Sequence, residues 1–304
     1  MNAVFLNHQQ QRCGVYQMGR RIGQALAEGG LVKYYELADH RTADALMESL
    51  RPRIAIYNWH PSTIPWAPAL VQRFTATKHV GLIHEISPEN VGSGAETFPY
   101  RIVCDPSFPS NGATLFRSVR HVPRSGSAKV ENETITIGSF GFAVGGKMFH
   151  AIVQAVAQEF PGATVRLRIP SAHYGDDAGA LARHAAEGAR SVVDNVNLQV
   201  EHDFLPEHEL VDWLSRNDLN VFFYDYNPGR GISSVIDYAI AARRPIAINE
   251  SQMFRHVKDR LGSYPTQSLR AALENGPAVE ALYHEWSLER LVQDYRDMFT
   301  VLGS

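Results

Sequence analysis

The chain has 304 residues, 44% hydrophobic and 20% charged, with a formal net charge of -3. That length exceeds one comfortable core and points to two domains, while the composition is that of an ordinary globular protein and the slightly negative charge argues against a dedicated nucleic-acid binder. No apolar run approaches the roughly 20 residues that span a bilayer.

The opening stretch, MNAVFLNHQQQRCG, lacks the basic flank and long apolar core of a signal peptide. Two cysteines, Cys13 and Cys104, make neither a disulfide framework nor a zinc spacing, so a cytoplasmic setting is expected. Residues 1–125 carry 13 Lys/Arg against 9 Asp/Glu, a net +4, and the remainder 16 against 23, a net -7. A basic first half suits an anionic acceptor or peripheral contact with a membrane surface, and equally well ordinary solvated faces.

In chain order, AVFLN (3–7) reads as a buried strand, and Val15, Met18, Ile22 and Leu26 recur at helical spacing after a glycine-containing loop. KYYELAD is a second strand, TADALMESL a helix closed by Pro52, and IAIYNW (54–59), HVGLIHE (79–85) and RIVCD (101–105) are further strands. The polar segment HVPRSGSAKVENET reads as a linker. The alternation then restarts with TITIGSF (134–140), FHAIVQAVAQEF (149–160), ATVRLRIP, NLQVEHDF, HELVDWLSRN, LNVFFYD (219–225) and RPIAIN. Strands alternating with helices imply parallel sheets wound on both faces. Two such sets predict two domains, 1–125 and 126–285. Residues 286–304 read as a last amphipathic helix, capped by Ser287, with an apolar stripe that needs a surface to cover.

The chemistry concentrates in NPGRGISSVIDYAIAARRPIAIN (227–249). The chain leaves a strand, passes Gly229, Arg230 and Gly231, and enters a helix expected to begin near Gly231–Ser233. Free N–H groups at such a start, with Arg230, Ser233 and Ser234 beside them, suit an anion such as phosphate. The carboxyl edge of a parallel sheet is where such folds bind ligands. A second loop, SFGFAVGGK (139–147), ends in Gly145, Gly146 and Lys147. Neither loop matches a Walker A or G-x-G-x-x-G pattern, which disfavours ATPase and hydride-transfer chemistry. His84 and Glu85 at a strand end are candidates for acid–base work. Asp176 and Asp177 read as a solvated loop rather than a metal site, and Trp59 and Trp66 as filling the surface of the first domain.

From DFLPEHELVDWLSRNDLNVFFYDYNPGRGISSVIDYAIAARRPIAIN, the second half resembles the C-terminal domain of GT-B glycosyltransferases. It is most similar to the retaining bacterial nucleotide-sugar enzymes called family four. IGSFGF…GGKMFH, QRCGVYQMGRRI and the terminal helix extend the likeness over most of the chain, most strongly between about 134 and 256. The resemblance implies two Rossmann-like domains facing a central cleft, with the terminal helix 286–304 crossing back onto the first, and transfer of a sugar from a nucleotide donor to a hydroxyl acceptor, with retention and with no metal or other cofactor. It implies that Lys147 and the backbone at Ile232, Ser233 and Ser234 contact the diphosphate. Asp237 would hold the ribose, Phe204 and Leu205 the nucleobase, and Gly14 and Gly141 would lie beside the donor. His84 would face sugar or acceptor. Two departures stand out: Gly229 replaces the first glutamate of the family's Glu-x7-Glu pair, and Ser139 stands near the place of its arginine, for which Arg230 or Arg168 would substitute. Alternatives on the same fold are a non-catalytic nucleotide-sugar binding homologue and a nucleotide-sugar epimerase.

Overall fold

The computed structural model describes residues 2–86, 97–124, 130–144, 146–192, 195–226 and 228–303. Gly145, Asn227 and the 125–129 part of the expected linker lie outside the described residues. The chain divides into two compact units. The first holds 1–121, 229–232 and 286–304, and the second 122–228 and 233–285.

In the first unit, β1 (Ala3–His8), α1 (Gly14–Glu28), β2 (Lys33–Leu37), α2 (His40–Leu50), β3 (Ile54–Trp59), α3 (Ala67–Arg73), β4 (Lys78–Ile83), β5 (Tyr100–Val103) and β6 (Leu115–Arg117) follow one another. All strand pairs are parallel, in the order β2-β1-β3-β4-β5-β6. Alternation along the strands sorts the core into two faces. Ala3, Phe5, Ile54, Ile56, Val80 and Leu82 pack under α1 and the terminal helix Leu288–Gly303. Val4, Leu6, Ala55 and Tyr57 pack against α2 and α3. Ser287 caps the terminal helix through its hydroxyl, which accepts from Arg290 N–H at 3.2 Å.

The second unit runs β7 (Thr136–Phe140), α4 (Phe149–Glu159), β8 (Thr164–Arg168), α5 (Ala180–Arg190), β9 (Asn197–Glu201), α6 (Glu207–Ser215), β10 (Leu219–Phe222), α7 (Val235–Ala241) and β11 (Ile246–Ile248). Three short helices complete it, α8 (Lys258–Leu261), α9 (Leu269–Ala272) and α10 (Gly276–Glu285). Its parallel sheet has the order β11-β10-β7-β8-β9. One face packs on α4, α5 and α9. On the other, Phe140 meets Phe222 and the α7 residue Tyr238 edge to face.

Both units are therefore α/β with parallel, doubly wound sheets, as the alternation of elements predicts. Each sheet reverses its direction of growth once, between β1 and β3 in the first unit and between β7 and β10 in the second. Such reversals open a crevice at the carboxyl ends of the flanking strands.

Several elements depart from the sequence reading. α7 begins at Val235, not near 231–233, and has only seven residues. The stretch before it is held by contacts from other segments instead: Ser233 N–H donates to Met253 C=O at 2.9 Å, and Gly231 lies against the His84 carbonyl. Asp176 is 6% exposed rather than solvated. Its carboxylate accepts from Leu181 and Ala182 N–H at 2.8 and 2.9 Å, satisfying the open start of α5. Trp59 is likewise buried, edge-on to Phe98. Among the described residues no helix is long and apolar enough to cross a membrane.

Candidate functional site

In the second unit the switch point carries Lys147 and Tyr224. The two residues form an antiparallel bridge just beyond β7 and β10. The Lys147 ammonium lies 4.9 Å from the centroid of the Tyr224 ring and donates to Val144 C=O at 3.1 Å. Its stem crosses Gly141, whose φ is +145° and where an added Cβ would stand 2.6 Å from Lys147 Cε. Gly141 is thus glycine on two counts, backbone angle and space. Gly146 takes a φ of +77° and accepts from Asp225 N–H at 2.8 Å. Tyr224, 3% exposed, accepts at its hydroxyl from Ser233 Oγ at 3.1 Å. Burial pushes that phenol well above the ordinary tyrosine range, with the Ser233 bond opposing, so it stays a neutral hydroxyl.

Of the other donor-side residues, Ser234 is partly buried and stands at the N-cap of α7 without a side-chain cap bond. Phe204 and Leu205 are partly buried. The Phe204 ring lies 6.2 Å from that of Phe142, at an interplanar angle of 5°. Sequence reasoning missed Phe142, although its place in GSFGF directly after Gly141 marks it. Asp237 is only 1% exposed, so a ribose reaches it only if neighbouring side chains move. Arg168, considered for the missing family cation, is paired with Glu201 and donates to Asp203 C=O at 3.2 Å.

In the first unit His84 and Glu85 follow β4 directly. Glu85 grips Arg230 with two hydrogen bonds, Nε to Oε2 at 2.6 Å and Nη2 to Oε1 at 2.7 Å. Burial alone would raise the Glu85 carboxyl, but the bonds and charge of Arg230 outweigh it and hold it below the usual range. The expectation of a guanidinium aimed at a diphosphate thus meets a different arrangement: a carboxylate already neutralises Arg230. The separation of 145 positions along the chain hid this from the sequence.

Gly231 has a similar explanation. The sequence places Gly231 at the mouth of a helix suited to an anion. In the structure the group that comes close is the His84 carbonyl, and a Cβ at Gly231 would overlap its oxygen and stand 2.9 Å from its carbon. The Cβ position is fixed by the backbone and the carbonyl it meets is itself backbone, so no rotamer relieves the clash. Gly231→Ala is expected to lower stability by about 1–3 kcal/mol in urea unfolding, a shift that Gly229→Asn should not match, since Asn tolerates the φ of +80° at that position. A wild-type midpoint for Gly231→Ala would contradict the contact.

His84 is partly buried and lines a small pocket with Met18, Asp105, Arg120 and Ile232, among others. Asp105 and Arg120 are 2% and 3% exposed. Gly14, the first residue of α1, is partly buried. Burial, then the charges of Arg120, His60 and His8, pull the His84 imidazole down to about 3. The unfolded residue titrates near 6.5. Between those values the unfolded chain binds the extra proton, so this group's contribution makes stability fall as pH drops below about 6.5. His84→Gln is expected to flatten the pH dependence of the urea midpoint in that window relative to wild type. Parallel curves would contradict the assignment.

No protein-family model matches the sequence, and no curated protein matches it. Solved structures do. Sucrose-phosphate synthase from Thermosynechococcus elongatus aligns with a TM-score of 0.70 at 14% identity, covering 99% of this chain and 100% of that one. A glycosyltransferase from Rickettsia africae gives 0.68 at 7% identity, with 99% and 98% covered. Anabaena HepE, solved in complex with UDP-glucose, gives 0.61 at 12% identity, with 99% and 97% covered. At such identities the likeness speaks to the fold, and the chain has the GT-B fold of these enzymes.

Proposed function

We propose that this protein is a glycosyltransferase moving a sugar from a nucleotide-diphosphate donor to a hydroxyl acceptor. One observation carries the reading. At the switch point of the second sheet, in a fold shared with structures such as one solved with UDP-glucose, a lysine ammonium is held over a buried tyrosine by a glycine that admits its stem.

In this reading Lys147 neutralises charge that develops on the departing diphosphate, with Ser234 at the N-cap of α7 as a further donor, since the N–H and hydroxyl of Ser233 are spent on Met253 C=O and the Tyr224 hydroxyl. A lysine performs this as a compact point charge, so the reaction proceeds without a metal. Phe204, with Phe142 parallel to it, and Leu205 receive the nucleobase, a flat ring suited to aromatic faces. In the first unit Gly14 and His84 serve the sugar and the acceptor hydroxyl. Arg230 acts by holding Glu85 rather than by meeting the diphosphate directly. Retention of the anomeric configuration rests on the resemblance to the retaining family.

A panel of UDP-, GDP-, ADP- and dTDP-sugars tests the reading, scored for released nucleoside diphosphate with and without sugar and lipid-like hydroxyl acceptors. The expected result is consumption of one donor class, accelerated by an acceptor. Donor binding without turnover, or interconversion of donors without any acceptor, would overturn it.

A further inference from the structure

At the carboxyl ends of β1, β3 and β4, polar residues stand where the apolar alternation of one sheet face should continue. Ala3 and Phe5, Ile54 and Ile56, and Val80 and Leu82 belong to the core under α1. The next positions of the same parity are Asn7, Asn58 and His84. Asn7 and Asn58 are 0% exposed. Buried carboxamides are costly unless their hydrogen bonds are completed, and here backbone groups of fixed role assign every proton.

Asn7 Nδ2 donates to Tyr16 C=O at 3.1 Å, and Asn7 Oδ1 accepts from His8 N–H at 2.9 Å, so this amide cannot be turned over. Asn58 Nδ2 donates to Val15 C=O at 2.8 Å and to Asn7 Oδ1 at 2.7 Å. The atom 2.6 Å from His84 Nε2 is therefore Asn58 Oδ1, which can only accept. His84 Nε2 must carry the hydrogen. At the far end Asn7 Nδ2 also reaches the Tyr34 hydroxyl at 3.0 Å. That hydroxyl and the Tyr16 hydroxyl both donate to Glu36 Oε1 at 2.9 Å. Every hydrogen in the series points from His84 toward the Glu36 carboxylate, the order in which linked bonds strengthen one another. α1 is built around this series: a Cβ at Gly19 would stand 2.6 Å from Asn58 Oδ1.

We propose that Asn58, itself oriented by Asn7, is a positioning residue that locks His84 as the Nε2–H tautomer, so that the imidazole offers only its Nδ1 lone pair to a substrate hydroxyl. Among the described residues Nδ1 has no hydrogen-bond partner. The groups around the ring are Arg120 and Asp105 in the pocket, His8 and His60 at the ends of β1 and β3, and the Glu85–Arg230 pair. The ring is neutral at pH 7. A neutral imidazole whose N–H is committed accepts a hydrogen bond and donates none, so it cannot protonate a leaving group. The use of Nδ1 by a hydroxyl rests on the transferase reading; the tautomer does not.

The test is a long-range proton–nitrogen correlation spectrum of the full chain, labelled with nitrogen-15 histidine, at pH 7 without donor. His84→Gln identifies the His84 signals among 13 histidines. The expected result is a protonated Nε2 and an unprotonated Nδ1. A protonated Nδ1, or two averaged nitrogens, would overturn the proposal. Asn58→Leu is expected to turn the fixed tautomer into an average, and an unchanged His84 pattern in that variant would overturn the role of Asn58. The wild-type spectrum decides the tautomer even where the variant does not fold. A chain with the expected spectrum that consumes no nucleotide sugar overturns the hydroxyl half alone.

Discussion

Lys147→Ala lowers kcat/KM for donor consumption by about 10²–10³-fold, the scale on which removal of one preorganised charge-stabilising donor is felt. Three features place the ammonium before any ligand arrives: the stem crossing Gly141, the bond to Val144 C=O, and the Tyr224 ring 4.9 Å beneath. Little ordering remains to be done in the transition state, so the effect falls on kcat more than on KM. Lys147 is only partly buried, and the variant is expected to keep the wild-type Tm within a few degrees. Gly141→Ala displaces the same stem and should reproduce part of the loss while leaving the lysine present. Turnover within threefold of wild type in Lys147→Ala would remove this residue from the chemistry.

Phe299→Ala destabilises the first unit by about 3–5 kcal/mol, the usual range for removing a fully buried phenylalanine. Phe299 is 1% exposed and shares its core with Phe5, Ile22, Leu26 and Ile56, so the terminal helix covers the same sheet face as α1. Loss of the ring leaves a cavity that strands and helix cannot jointly close. At about 2–4 °C per kcal/mol for a unit of this size, the apparent Tm should drop by roughly 6–20 °C. Phe299→Leu, which keeps most of the volume, should show a much smaller shift. An Ala variant melting with the wild type would mean the terminal helix adds nothing to that core.

The α/β architecture was legible because its strands are near-continuous apolar runs bounded by polar turns, IAIYNW and TIGSF among them. α5 was not legible. Its buried positions are Ala182, Ala186 and Ala189, too small and too weakly hydrophobic to stand out among the polar residues between them. β6, with three residues, is shorter than any pattern that alternation can establish. The apolar spacing places the start of α7 too early, because Ile232 continues that spacing while its neighbour Gly231 is spent on the His84 carbonyl.

At the site, Lys147 and the glycine loops announced themselves through composition. What stayed hidden were contacts between residues far apart in sequence. The Glu85–Arg230 pair and the Asn7–Asn58–His84 series both depend on which strands lie side by side. A signal for the second was nonetheless present: asparagines interrupting an apolar alternation at the carboxyl ends of two strands. A buried amide at such a place needs partners, and the neighbouring strand ends are where partners are found.

The central claim is that the switch point of the second sheet seats a nucleoside diphosphate on Lys147. Crystals soaked in turn with UDP and GDP test it most directly. The phosphates of one of them are expected within hydrogen-bonding reach of Lys147 Nζ and of Ser234. A nucleotide bound elsewhere on the chain, or no bound nucleotide at concentrations that saturate turnover, would contradict it.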